Sequence, residues 1–147
     1  MNDILHRIGI EAGQSEVWSA LTTIDGLSGW WTEDTEGESD SVGGTVAFRF
    51  PVGGFDMRVT ELDPGTRVVW QVTDGPDEWV GTTVEWELHR EDEYTVVTFA
   101  HRGWREAVPF MHHCSTKWAI FLMSLKAFVE TGKGEPAPHD VRISNWH

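Results

Sequence analysis

From Phe110 to Phe128 the apolar residues Phe110, Cys114, Trp118, Phe121, Leu125 and Phe128 step by four, four, three, four and three. This is the spacing of one face of an α-helix, and no other period fits it. Pro109 suits the first turn of such a helix and Gly132 its C-terminal cap, so the spacing predicts a helix over 109–131, about 34 Å long. A stripe that rich in rings has to pack on something large and apolar. The partner is visible upstream, in five segments that alternate with period two: "TVAFRFP" (45–51), "FDMRVTELD" (55–63), "TRVVWQVT" (66–73), "WVGTTVEWELHR" (79–90) and "EYTVVTFAH" (93–101). Each turns one apolar set to one face: Val46, Phe48 and Phe50; Phe55, Met57 and Val59; Val68, Trp70 and Val72; Val84, Trp86 and Leu88; Val97 and Phe99. Turn signals such as "VGG" and "PG" join them, and short connections imply antiparallel neighbours.

The N-terminal third adds a strand at "ILHRIGI" (4–10), a helix capped by Ser15 through "EVWSALTTI", and a short second helix at "IDGLSGWW" (24–31). The acidic "TEDTEGESDSVGG" (32–44) reads as a mobile loop, and Gly29, Trp30 and Trp31 beside it as a lip. The expected architecture is α+β: one curved antiparallel sheet of about six strands wrapped on a long C-terminal helix, with two short helices after the first strand. At 147 residues the chain is expected to form a single domain, 1–147. "GKGEPAPHDVRISNWH" (132–147) cannot be helical, yet Val141, Ile143 and Trp146 are too apolar for a free tail; they are expected to cover a sheet edge or a neighbouring subunit, which leaves a homodimer open.

A net charge of -13 argues against nucleic acid or an anionic membrane as partner. The single cysteine, Cys114, rules out an internal disulfide and suits a reducing compartment; with no apolar run of signal-peptide or membrane-spanning length, a cytoplasmic location is expected. "HHC" at 112–114 spreads its side chains about 100° apart on a helix, so no metal site is expected there. No phosphate loop, nucleophile elbow or inward carboxylate pair appears, and no cofactor is implied.

The stretches "SEVWSALTTIDGLSGWW", "TELDPGTRVVW", "TVVTFAHRGW" and "STKWAIFLMSLKAFVETGKG" resemble the START-like or SRPBCC superfamily, the helix-grip fold. Within it, the chain is similar to the branch related to the activator of the heat-shock-protein ATPase. The resemblance implies the same fold and a cavity between sheet and long helix that holds an apolar small molecule; its members include carriers, receptors and cyclases.

Nine tryptophans and seven phenylalanines supply rigid walls for such a cavity. The inward strand parity selects Phe48, Met57, Trp70, Trp86, Phe99 and His101 as ligand-binding residues, the helix stripe adds Trp118, Phe121 and Leu125 facing them, and the end of the short helix adds Trp30 and Trp31, with Trp79, Trp104 and Trp146 at the rim. His101, next on the face of Val97 and Phe99, is either a polar point on the wall, a structural histidine, or an acid-base catalyst of a cyclase or dehydratase. Arg102 and Arg105 flank the expected mouth, where they would hold an acidic ligand or simply face solvent. The reading is a binding protein for a small apolar, aromatic molecule, as carrier, sensor or sequestering agent, rather than an enzyme. The alternative is an interaction module that docks a basic partner on its acidic surface.

Overall fold

A computed structural model describes residues 2–147. Seven strands form one antiparallel sheet: β1 (Asn2–Ile10), β2 (Asp34–Gly37), β3 (Thr45–Phe50), β4 (Gly53–Asp63), β5 (Arg67–Asp74), β6 (Thr83–Glu91) and β7 (Tyr94–Trp104). Their order is β1-β7-β6-β5-β4-β3-β2, so every hairpin from β2 to β7 pairs with its sequence neighbour and the first strand closes on the last. Helices α1 (Gln14–Thr22) and α2 (Ile24–Trp30) follow β1, and α3 (Pro109–Thr131) lies across the concave face. The helix-grip architecture is therefore present as expected, with one strand more than the alternation revealed.

The extra strand is β2, within the stretch read as a mobile loop. Its sequence DTEG carries no apolar alternation, because β2 is an edge strand bonded to β3 on one side and buries only Thr35. Ser39 beyond it is also buried, donating its hydroxyl to the Thr22 carbonyl at 2.7 Å. Helix α1 starts two residues earlier than expected: Gly13 is the cap residue, without a side-chain bond, and Ser15 lies inside the helix. Thr23 caps α2 instead, accepting the Gly26 N–H at 3.0 Å. Residues 79–82 are a turn rather than the start of β6, and β7 runs through Gly103 to Trp104.

That last extension has a local cause. Gly103 adopts φ 93, a conformation that suits glycine, and the pairing with β1 shifts register between Asn2 and Ile4. The bulge turns Trp104 inward, where it is 1% exposed. Helix α3 begins at Pro109 and ends on Gly132, whose φ of 85 forms the left-handed cap. Both sheet edges are covered. Along β1, α3 supplies the Lys126 ammonium to the Gly9 carbonyl at 2.6 Å. Beside β2, the C-terminal segment places Ala137 so that its N–H donates to Trp31 O at 2.8 Å and its carbonyl accepts from Glu33 N at 3.0 Å.

Candidate functional site

The interior between sheet and helix is occupied by rings. Trp31 sits at its centre, with ring centroids 4.3 Å from Phe48, 5.0 Å from Trp118 and 5.9 Å from Trp70. Trp118 of α3 reaches the opposite strands, 4.5 Å from Phe99 and 6.1 Å from Trp86. Offset and edge-on ring pairs of this kind each contribute about 0.5–1.5 kcal/mol beyond their burial. Trp30, Phe48, Met57, Trp86, Phe99 and Leu125 are wholly buried, and Trp70 is 1% exposed. These seven residues, expected to bind ligand, form packed core and do not line the cavity described next. The inward direction was right for all of them; periodicity says which way a side chain faces and not whether the space ahead is filled.

His101 shares that core. Its position between two donors and acceptors of fixed polarity determines its tautomer. The Trp118 indole can only donate, so its Nε1–H bonds to His101 Nδ1 at 3.2 Å. His101 therefore carries its proton on Nε2 and donates it to Thr82 Oγ at 2.8 Å, and the Thr82 hydroxyl donates onward to the Trp79 carbonyl at 2.5 Å. Burial pushes its pKa down to about 3. Both ring nitrogens are engaged and no cavity surface reaches them, so the arrangement offers neither a base nor a polar wall point.

The open space lies at one end of the grip: a cavity of about 680 Å³, bounded by five parts of the chain. The β3–β4 turn brings Phe50 and Phe55, the β5–β6 connection Trp79, and α2 ends on Trp31. The N-terminal half of α3 brings His113, Lys117, Trp118 and Phe121, and the C-terminal segment supplies Asp140, Arg142 and Trp146. Of the expected ligand residues, Trp31, Trp118 and Phe121 reach this wall. Trp79 and Trp104, expected at a rim, are buried at 6% and 1% exposure; Trp79 still borders the cavity, whereas Trp146, 48% exposed, is at its mouth. The expected lip at Gly29 does not exist: a Cβ on Gly29 would stand 2.2 Å from the Phe128 ring. The signal for the true wall was the apolar tail, whose Trp146 packs 5.7 Å from the His113 ring and 6.2 Å from Phe110.

The polar side of the cavity is fixed by α3 and the tail. Lys117 forms an ion pair with Asp140, donates to the Val141 carbonyl at 2.8 Å and lies 5.1 Å from the Phe121 centroid. Burial, Lys117 and His147 lower the His113 pKa, which keeps the ring neutral. Burial raises the Cys114 thiol to about 12, too high to supply a thiolate nucleophile. Arg102 and Arg105 are elsewhere: Arg102 pairs with Asp3 and Glu85 at 3.1 Å each, and Arg105 bonds the Asp77 and Val80 carbonyls. Among the described residues no three His, Cys, Asp or Glu side chains gather around a point that would hold a metal ion, and no helix is long and apolar enough to cross a membrane.

A curled antiparallel sheet closed on one long C-terminal helix, with a ring-walled cavity at the open end, defines a START-like, helix-grip protein. More narrowly, the chain belongs to the family described as activator of Hsp90 ATPase homolog 1-like protein, whose model matches residues 11–130. The Aha1 dimer from Colwellia psychrerythraea, solved in solution, is 47% identical over 91% of this chain and 100% of its own, with a TM-score of 0.85. SSP2350 from Staphylococcus saprophyticus shares the fold at 16% identity, covering 97% of this chain and 98% of its own, with a TM-score of 0.76. CalU16 from Micromonospora echinospora does so at 22% identity, over 88% and 77% of the two chains, with a TM-score of 0.73. No curated protein matches the sequence. The segment after Thr131, which supplies one wall of the cavity, lies outside the matched residues.

Proposed function

We propose that the protein binds a small, apolar, aromatic molecule in the cavity between the β3–β4 turn, α3 and the C-terminal segment, as a carrier, sensor or sequestering protein. The observation that supports this reading is the cavity itself: about 680 Å³, walled by Trp31, Phe50, Phe55, Trp79, Trp118 and Phe121. That volume falls in the range of small-molecule sites, and flat rings complement a flat ligand. Trp31, Trp118 and Phe121 are its principal contacts. Binding rather than turnover fits the chemistry present, because His101 is fully hydrogen-bonded and the Cys114 thiol stays protonated. The test is native mass spectrometry of the purified protein, followed by calorimetry with the neutral aromatic 2-naphthamide. Binding with one-to-one stoichiometry, a negative heat-capacity change and a roughly tenfold loss on Phe121→Ala supports the reading. Absence of both a co-purified molecule and saturable heat overturns it.

A second reading concerns assembly. The 47% identical Colwellia protein is a dimer, and we propose that this chain also forms a homodimer. Sedimentation equilibrium is expected to give twice the chain mass of 16.6 kDa; a monomer at all concentrations would exclude it.

A further inference from the structure

The chain carries 11 lysines and arginines against 24 aspartates and glutamates. Among the side chains of the cavity wall that excess disappears, with Lys117 and Arg142 beside the one acidic side chain, Asp140, and the backbone end at His147 also bordering the space. In a molecule of net charge -13, a concave surface kept almost clear of carboxylates is a local departure from the field of the whole chain. The two cations are not equivalent. Lys117 is tied down by Asp140 and the Val141 carbonyl, so its charge is matched and its position fixed. The Arg142 guanidinium has one contact, Nε to the Ser144 carbonyl at 3.5 Å, and among the described residues no carboxylate lies within ion-pair distance of it. Its two terminal nitrogens keep their donors for something else, in a planar fork that matches a carboxylate.

The Lys117–Asp140 pair fixes the segment that leads directly into Arg142, and the half-buried His113, its Nδ1 3.4 Å from Ser144 Oγ, borders the same cavity from α3. Much of the remaining wall is a set of touching rings: Phe55 to Trp79 is 4.4 Å, Trp79 to Trp118 is 6.0 Å, Trp118 to Trp31 is 5.0 Å, and Phe50 to Phe121 is 6.2 Å between centroids.

We infer that the ligand is an aromatic carboxylate, its rings against Trp31, Phe55, Trp118 and Phe121 and its carboxylate paired with Arg142. This rests on the binding function proposed above and names the ligand class. Arg142 is exposed, so its charge-assisted fork gains what an exposed pair gains, and the charged group should be worth up to about fivefold in affinity.

The test compares 2-naphthoate with 2-naphthamide by calorimetry at low salt, with decanoate as a carboxylate lacking rings. The expected result is that 2-naphthoate binds about three- to fivefold more tightly than the amide, and that Arg142→Gln abolishes the difference while the amide is unaffected. Arg142→Lys should restore part of the difference, because it returns the charge without the fork. Arg142 is exposed, so the variants should retain the wild-type melting temperature. Equal binding of naphthoate and naphthamide by the wild type overturns the inference and leaves the binding function standing. Binding of neither overturns both. Decanoate binding as tightly as naphthoate overturns the aromatic half.

Discussion

The His101 imidazole lies 4.6 Å from the Trp79 ring, 5.1 Å from Trp104 and 6.0 Å from Trp118, and this burial pushes its pKa down to about 3. An unfolded histidine titrates near 6.5, so between those values the unfolded chain binds a proton that the folded chain refuses. The contribution to stability is complete above about pH 6.5 and declines as pH falls toward 3, at up to roughly 1.4 kcal/mol per pH unit. Urea unfolding of wild type and His101→Phe should therefore show the wild-type advantage shrinking by about 1–2 kcal/mol between pH 7 and pH 5. A constant difference would mean that the imidazole is not held neutral. Thr82 offers an independent check. Thr82→Val preserves volume but strands the His101 Nε2–H, and should cost about 1–3 kcal/mol in the same assay. None of this network was legible in the sequence. Alternation through Val97 and Phe99 placed His101 on the inner face, yet its partners Thr82 and Trp118 are 19 and 17 residues away in the chain. Thr82 sits in a turn that was read as strand.

At the scale of elements, the C-terminal segment is docked by close backbone approach. A Cβ on Gly134 would stand 2.6 Å from the Gly29 carbonyl oxygen and 2.9 Å from Ser124 Oγ. Ser124 donates to the Trp30 carbonyl at 2.7 Å and accepts from the Glu135 N–H at 2.7 Å, joining α2, α3 and the tail through one hydroxyl. Gly134→Ala should lift the segment, costing about 1–3 kcal/mol in chemical denaturation, and should speed tryptic cleavage after Arg142. Unchanged stability and unchanged cleavage would show the contact to be slack. The long elements could be read because their periodicity repeats: α3 from its stripe, Pro109 and Gly132, and β3 to β7 from alternation. β2 could not, because a four-residue edge strand buries one side chain and writes no period. The tail's composition predicted a segment that covers an edge, yet Ala137 takes that place while Val141 and Trp146 stay exposed, and its seat depends on glycine-to-carbonyl distances that leave no pattern.

Over the whole molecule, charge and ring packing dominate in different places. The outer face of the sheet carries a ladder in which Arg67 reaches Glu61 at 3.1 Å and Glu85 at 3.2 Å, and Arg102 joins Glu85 to Asp3. Half-buried and solvent-screened pairs of this kind contribute about 1 kcal/mol each, whereas a net charge of -13 repels itself throughout. Raising NaCl from about 0.02 to 0.3 M shortens the screening length several-fold and should raise the melting temperature in calorimetry. A fall would show that the ladder outweighs the repulsion. Composition alone signalled this excess of acid, and equally the excess of rings, but not that the rings would meet in one body and leave the cavity at its end. That body has an optical consequence. Trp31 lies nearly parallel to Trp30 and Trp70, at 7° and 10°, with centroids 5.6 Å and 5.9 Å apart. Indoles at such separations share their excited states, which appears as exciton splitting in the far-ultraviolet dichroism, and pass excitation among themselves faster than they emit. Trp31 borders the cavity while Trp30 and Trp70 do not. An absorber seated there would drain the fluorescence of indoles it never touches, so the core acts as an antenna for its own binding site.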